Sequence, residues 1–305
     1  MQEPFLSIRR TFKDSVFCDL FGSEERKENA LSLYNALNKT NYDNPESLEL
    51  TTIGNVIYMR VKNDISFLIG NEQVLWEHQS TYNPNMPLRG LLYFARLYES
   101  WVHKNEKDIF SNVRIALPRP AYVVFYIGTK DRPEREVLRL SDSFMESDAD
   151  DEVPALEVLA TVLNINEGKN RELAEACEVL ADYAHFIALV REERDNGRDS
   201  SDAVDVAIQR CIAEGCLAEY LGRHRSEVKD LLLTEFDQEL HDRTLRAEGR
   251  EEGRAEGREE GREEMIRGLS EYVVSGELSV ERLTATFGLS EGEQQLLRDA
   301  TAERG

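Results

Sequence analysis

The chain has 305 residues, of which 41% are hydrophobic, so it holds enough apolar material for a substantial core and for more than one compact unit. Its apolar stretches are too short to cross a bilayer and its first ten residues contain no hydrophobic signal segment, which together predict a cytoplasmic protein without membrane partners. The formal net charge is −22, which argues against nucleic-acid binding if it is spread over the whole chain. Residues 1–141, however, carry 18 basic and 18 acidic side chains, so all of the excess negative charge falls after them.

The four cysteines lie at scattered spacings and have no neighbouring pair of histidines. Neither a zinc site nor a disulfide framework is therefore predicted, and reduced core thiols are favoured. These residues are Cys18, Cys177, Cys211 and Cys216.

Two amphipathic helices and a strand are predicted before the most informative stretch. The first helix is predicted over residues 7–20, with Gly22 as the helix-breaking residue after it. The second contains the core stripe between Ala30 and Leu37. Residues 38–47 are rich in Asn, Asp and Pro and predict a loop. Residues 48–61 predict an extended segment whose strongest β-forming part is 56–59.

Residues 63–80, with the sequence NDISFLIGNEQVLWEHQS, predict a β-hairpin that carries acidic side chains. A four-residue loop over 70–73 would place Asp64 opposite Gln79 and make Asp64 and Glu77 diagonal neighbours on one face. Both carboxylates would then reach one Mg²⁺ ion, which prefers hard oxygen ligands. The alternative is the solvated face of an antiparallel sheet. The dense apolar residues around the two acids favour a partly buried pair.

A helix is predicted over residues 88–103, after the turn residues of 82–87. Arg89, Tyr93 and Arg96 recur at i, i+4 and i+7 and so share one face. This face would contact phosphate groups drawn to a metal on the hairpin. The alternative is a solvated helix face.

The next elements are two strands and a helical region. The strongly apolar segment 122–127 predicts a central strand, and 156–165 predicts another strand after the acidic stretch 146–152. Helical spacing then recurs in three segments, which are 172–192, 203–213 and 226–245.

Residues 248–264 repeat every four positions, with a glycine at 249, 253, 257 and 261. Each glycine costs a helix about 0.8–1 kcal/mol relative to alanine, so an isolated helix here is marginal. One interpretation is a self-associating helix that forms a homo-oligomer, and the other is a solvated spacer. Residues 280–300 predict a small helix-turn-helix pattern whose second helix has little positive charge to attract DNA.

Four parts of the sequence carry a resemblance to a known family, and they are FKDSVFCDLFG, KNDISFLIGNEQVLWEHQSTYNPNMPLRGLLYFARLYESW, PAYVVFYIGTKDRPEREVLRLSDSF and the GREEGR repeats. In these parts the chain resembles the Rpn family of recombination-promoting nucleases, also called YhgA-like transposases. This family is placed in the PD-(D/E)XK nuclease superfamily, which implies an α/β (α+β) fold with a mixed sheet flanked by helices. It also implies a Mg²⁺-dependent DNA endonuclease in which Asp64 and Glu77 hold the metal and Gln79 stands where the superfamily has lysine.

The resemblance also suggests phosphate contacts by Arg89 and Tyr93. An alternative is a catalytically weak or inactive oligomeric accessory protein that associates with DNA. The predicted division is a nuclease-like domain over 1–168, a helical region over 169–246, the repeat over 247–264 and a tail over 265–305.

Overall fold

The computed structural model describes residues 15–51, 64–145 and 154–302, which form two compact units, Met1–Glu239 and Leu240–Gly305. Residues 7–14 of the helix predicted over 7–20, the strand over 56–59 and the acidic stretch 146–152 lie outside the described residues. The predicted division into four parts stays a prediction.

A mixed six-stranded sheet is the centre of the first unit, and the α/β class predicted from the sequence is confirmed. The strand order is β1-β2-β3-β4-β6-β5. The pairs β1/β2, β2/β3 and β5/β6 are antiparallel, whereas β3/β4 and β4/β6 are parallel. The strands are β1 Leu48–Thr51, β2 Asp64–Ile69, β3 Glu72–Gln79, β4 Arg119–Tyr126, β5 Arg135–Arg139 and β6 Leu159–Asn164.

Helices cover both faces of this sheet. The helix α3 connects the parallel strands β3 and β4, which need a crossover of this kind. The helices of the first unit begin with α1 Val16–Phe21, α2 Lys27–Asn38, α3 Met86–Lys104, α4 Arg171–Ala176, α5 Glu178–Asp195 and α6 Ser200–Glu214. The long helix α7 Ala218–Val274 follows, with non-helical backbone angles at His224.

The β2–β3 hairpin differs from its predicted register. A two-residue turn joins the strands, with Gly70 at a positive φ of 55° and Ile69 paired with Glu72. Gly70 has a positive φ and Asn71 does not, which is the pattern of a type II′ turn, whose twist suits adjacent strands. The predicted four-residue loop is therefore wrong, and Asp64 pairs directly with Glu77. Because the register moves by two residues, the acidic side chains keep the same face.

The two faces of the sheet have separate apolar clusters. One cluster packs against α3, and the other lies against α1, α2 and the helices from α5 onward. The α3 cluster contains Leu75, Met86, Tyr93, Phe94, Leu97, Tyr122, Val124, Tyr126, Ala160 and Val162. Alternate residues of β3 and β4 thus point to different layers, as the two-residue period of a strand requires.

Two predictions about the helical region are corrected. The segment predicted as one helix over 172–192 is interrupted at Cys177, whose extended backbone separates α4 from α5. The thiols of Cys211 and Cys216, predicted to be reduced, form a disulfide. Gly215 ends α6 with a φ of 88° and turns the chain back, which leaves the two Cα atoms 4.9 Å apart.

The second unit contains the end of α7 with α8 Val280–Phe287 and α9 Glu291–Ala302, in agreement with the predicted helix-turn-helix pattern. Ser279 caps α8, and Gly288 ends it with a φ of 61°. A small apolar cluster joins these helices and contains Ile266, Val273, Val280, Leu283, Leu289 and Leu297. Across 15–51, 64–145 and 154–302, no helix is both long enough and apolar enough to span a membrane.

Candidate functional site

The acidic pair of the hairpin lies on the α3 face of the sheet. Asp64 is the first residue of β2, and Glu77 is its direct partner on β3. The Asp64 side chain is 7% exposed and that of Glu77 is fully buried. Both acids therefore lie where an ionised carboxylate needs a cation or hydrogen-bond donors.

Three side chains contact the Glu77 carboxylate. Arg89 Nη2 lies 2.8 Å from Glu77 Oε2, and the amide of Gln79 donates to the same oxygen over 3.3 Å. The Tyr122 hydroxyl donates to Glu77 Oε1. Asp64 Oδ1 lies 4.0 Å from the same Arg89 nitrogen, so one guanidinium serves both acids.

Tyr93 completes the group from the next turn of α3. Arg89 Nη2 donates to the Tyr93 hydroxyl over 3.4 Å, and Tyr93 also hydrogen bonds with Asp64. Arg89 is 25% exposed, and its buried Nε has no hydrogen-bond partner among the described residues. The hydrogen bonding of Arg89 is thus incomplete on one side of its guanidinium.

The electrostatics of the site follow from burial. Burial, followed by the negative charge of Asp64, raises the pKa of Glu77 to about 8, although Arg89, Tyr122 and Gln79 act in the opposite direction. Burial and the nearby carboxylates also raise the pKa values of Tyr93 and Tyr122 well above their ordinary range. Both tyrosines therefore stay protonated and serve as donors at neutral pH.

The structure brings five of the six residues predicted for the site together and leaves one outside. Asp64, Glu77, Gln79, Arg89 and Tyr93 form one connected cluster. In contrast, Arg96 is half exposed and forms an ion pair with Glu99 over 2.8 Å on the outer surface of α3.

Two further residues position this site, and sequence reasoning did not single them out. Tyr122 enters from β4 because that strand pairs in parallel with β3. At Gly90 a Cβ atom would lie 2.4 Å from Tyr122 Cε1, so glycine permits the close approach of α3. The apolar run around Tyr122 predicts a strand, but nothing in its pattern identifies β3 as the neighbour.

The residue between Glu77 and Gln79 faces the opposite layer. His78 is buried there, stacks on Phe17 with ring centroids 4.9 Å apart, and lies 2.9 Å from the Tyr183 hydroxyl. Burial, with a smaller effect of the Arg191 charge, lowers the pKa of His78 to about 3. His78 is therefore a neutral packing residue.

The donor set of the cluster fits a divalent cation that needs few protein ligands. The carboxylates of Asp64 and Glu77 already share one cationic group, the Arg89 guanidinium. Mg²⁺ is commonly bound by one or two carboxylates and completes its coordination with water and substrate phosphate. Within the described ranges, no group of three or more His, Cys, Asp or Glu side chains is arranged to hold a metal.

Comparisons with family models, with curated proteins and with solved structures each gave no match.

Proposed function

We propose that the chain is a metal-dependent DNA endonuclease with a PD-(D/E)XK nuclease-like fold. The observation that carries the proposal is the Asp64–Glu77 pair, which adjacent strands direct toward one cationic group. Gln79 follows Glu77 by two positions, as in the Asp…Glu-x-Gln pattern, and donates a hydrogen bond to it. The mixed sheet with helices on both faces supports the fold implied by the Rpn resemblance.

In this proposal Asp64 and Glu77 hold Mg²⁺, which would supply charge stabilisation and a more acidic bound water for hydrolysis of a phosphodiester. Gln79 orients the attacking water by hydrogen bonding, without the positive charge that lysine would add. Arg89 and Tyr93 contact the phosphate next to the carboxylates. Arg96 contacts the DNA backbone further along α3.

Nicking of supercoiled plasmid in Mg²⁺ and in EDTA tests this function. Asp64→Asn and Glu77→Gln keep the side-chain shapes, and each is expected to lower the Mg²⁺-dependent rate on the order of 10²-fold or more. Glu49→Gln is the matched control, because Glu49 is an exposed acid on the same sheet that pairs with Lys104 on α3. Nicking that is unchanged in both site variants, with circular dichroism showing folded protein, would contradict the proposal.

A second candidate is a catalytically weak or inactive protein that associates with DNA. The observation that favours it is the engagement of both Glu77 oxygens by neighbouring side chains, with a neutral Gln79 where lysine would stand. This candidate predicts DNA binding without nicking in Mg²⁺ or Mn²⁺. Wild-type protein in the plasmid assay separates the two functions.

We also propose that the protein is cytoplasmic and that it self-associates through the repeat helix of the second unit. Gly253, Gly257 and Gly261 have no neighbouring atoms within 4 Å of the place a Cβ would occupy, so this stripe is open. An open glycine stripe permits close approach of a second helix. If the helix is only a spacer, the stripe stays in contact with solvent.

A further inference from the structure

Arg89 lies at the place where Asp64 and Glu77 would share a metal ion. Its Nη2 atom is 2.8 Å from Glu77 Oε2 and 4.0 Å from Asp64 Oδ1. The two acids come from different strands and face each other across the hairpin. The acidic pair is thus a cation-binding position whose cation is supplied by the chain itself.

The remaining contacts of Glu77 limit how a metal ion can enter. Oε2 accepts from Arg89 and Gln79, and Oε1 accepts from Tyr122. A carboxylate has about four lone-pair sites, two on each oxygen, so both sites of Oε2 are taken and a metal ion that binds Oε2 must replace one of its donors. Gln79 and Tyr122 are neutral, whereas Arg89 is positive and repels a second cation at contact distance. Arg89 is therefore the donor that a metal would displace.

We propose that Arg89 is a displaceable internal counter-ion of the acidic pair. Binding of Arg89 and binding of a divalent cation to Asp64 and Glu77 exclude each other. This inference rests on the proposed function, because the cation concerned is the one the nuclease would use. It deepens that function by naming the group that must move before the metal is held.

The position of Arg89 gives the displaced side chain a use. Arg89 lies in the first turn of α3 and is partly exposed. Its Nε has no hydrogen-bond partner among the described residues. Once released from the acids, the guanidinium is available for a phosphodiester oxygen, with which it forms strong charge-assisted hydrogen bonds. Metal binding and phosphate binding are then coupled, and each increases the affinity for the other by the same factor.

Isothermal titration of the full chain with Mn²⁺, without nucleic acid, tests the exclusion. Arg89→Gln is expected to bind Mn²⁺ about tenfold or more tightly than wild type, because a positive charge next to the ion is removed. Arg89→Lys keeps the charge and is expected to stay close to wild type. Lys104→Gln, which removes a positive charge from an exposed pair on the same helix, is the matched control and is expected to change the affinity by less than about twofold.

Equal Mn²⁺ affinity in wild type and Arg89→Gln would overturn the inference, as would equal gains in Arg89→Gln and Lys104→Gln. Absence of Mn²⁺ binding in every variant would also overturn it. A second measurement on the wild type does not depend on folding of Arg89→Gln. The Arg89 Nε–H resonance, assigned by its loss in Arg89→Lys, is expected to shift on addition of Mg²⁺. An unshifted resonance at saturating Mg²⁺ would overturn the inference.

Plasmid nicking separates this inference from the proposed function. If wild type nicks DNA but Arg89→Gln binds Mn²⁺ no more tightly, the counter-ion inference is wrong and the nuclease remains. If Arg89→Gln gains affinity but no protein nicks DNA, the counter-ion inference stands and the nuclease proposal is wrong.

Discussion

Replacement of Glu77 by glutamine is expected to remove a pH dependence of stability that the metal-free protein carries. Burial first, and then the charge of Asp64, raises the pKa of Glu77 from 4.5 to about 8. Between these values the folded chain holds a proton that the unfolded chain has released. The free energy of unfolding therefore falls as pH rises through this window.

The size of the effect follows from the width of the window. A group protonated only in the folded state lowers the free energy of unfolding by up to about 1.4 kcal/mol for each pH unit crossed. Crossing the whole interval from 4.5 to 8 would cost about 4 to 5 kcal/mol, and a rise half as large would still cost about 2 kcal/mol. Glu77→Gln cannot ionise, so it is expected to be the more stable protein at pH 8.5.

Urea denaturation in EDTA, at intervals from pH 5 to pH 8.5, measures this difference. His185 is the necessary control, because its contacts with Glu214 and, to a smaller extent, Glu167 raise its pKa above 6.5. A raised histidine pKa also gives stability that is lost as pH increases. His185→Gln therefore measures that contribution separately, at a partly exposed site outside the acidic pair.

The pH profiles of wild type and Glu77→Gln would refute the reasoning if they ran parallel over the whole range. Addition of Mg²⁺ gives an independent check, because a metal ligand must be ionised. In Mg²⁺ the wild-type stability is expected to stop falling with pH, while Glu77→Gln gains little. A wild-type profile that falls equally in Mg²⁺ and in EDTA would mean that the metal does not bind this carboxylate.

Three further predictions concern packing, chemistry and assembly. Gly90→Ala is expected to destabilise the fold by about 1–3 kcal/mol in urea denaturation, because the new methyl group meets the Tyr122 ring. The control is Gly222→Ala, where the new Cβ would have no atoms within 4 Å, and its free energy of unfolding is expected to rise by about 0.5–1 kcal/mol. Destabilisation of both variants would contradict the packing argument. Gln79→Ala is expected to lose on the order of 10²-fold in nicking rate, whereas Gln79→Lys is expected to keep or increase the rate. Equal nicking rates for wild type, Gln79→Ala and Gln79→Lys would count against an active site at the hairpin. Deletion of 247–305 is expected to leave nicking within a few fold and to reduce the mass seen by light scattering, and an unchanged mass would contradict self-association through the repeat.

The elements that carry the site follow from local sequence patterns. Alternation in the hairpin predicts two strands and places Asp64, Glu77 and Gln79 on one face, as the structure has them. The helix predicted over 88–103 corresponds to α3 Met86–Lys104, with Pro87 in its first turn. These signals are local, since each depends on residues within one or two turns or along a single strand.

Features that depend on the exact turn geometry or on pairing between distant segments could not be predicted. The predicted hairpin register was wrong because Gly70 adopts a positive φ, which permits a two-residue turn in place of the predicted four-residue loop. The contribution of Tyr122 depends on parallel pairing of β3 with β4, which no residue pattern specifies. Arg89 was expected to meet phosphate, and its contact with the buried acids becomes visible only when α3 is packed on the sheet.

The same packing makes the acidic site depend on the position of α3. Fully buried Glu77 receives Arg89 from that helix and Tyr122 from the neighbouring strand. Gly90 lets the helix approach Tyr122, so the distance between α3 and the sheet sets how closely Arg89 reaches the two acids. If α3 lay further from the sheet, the attraction between Arg89 and the two acids would be weaker, and the buried carboxylates would destabilise the fold more. If the acidic pair binds a metal as proposed, metal affinity and fold stability are linked through one helix–sheet contact, and a substitution there is expected to change both together.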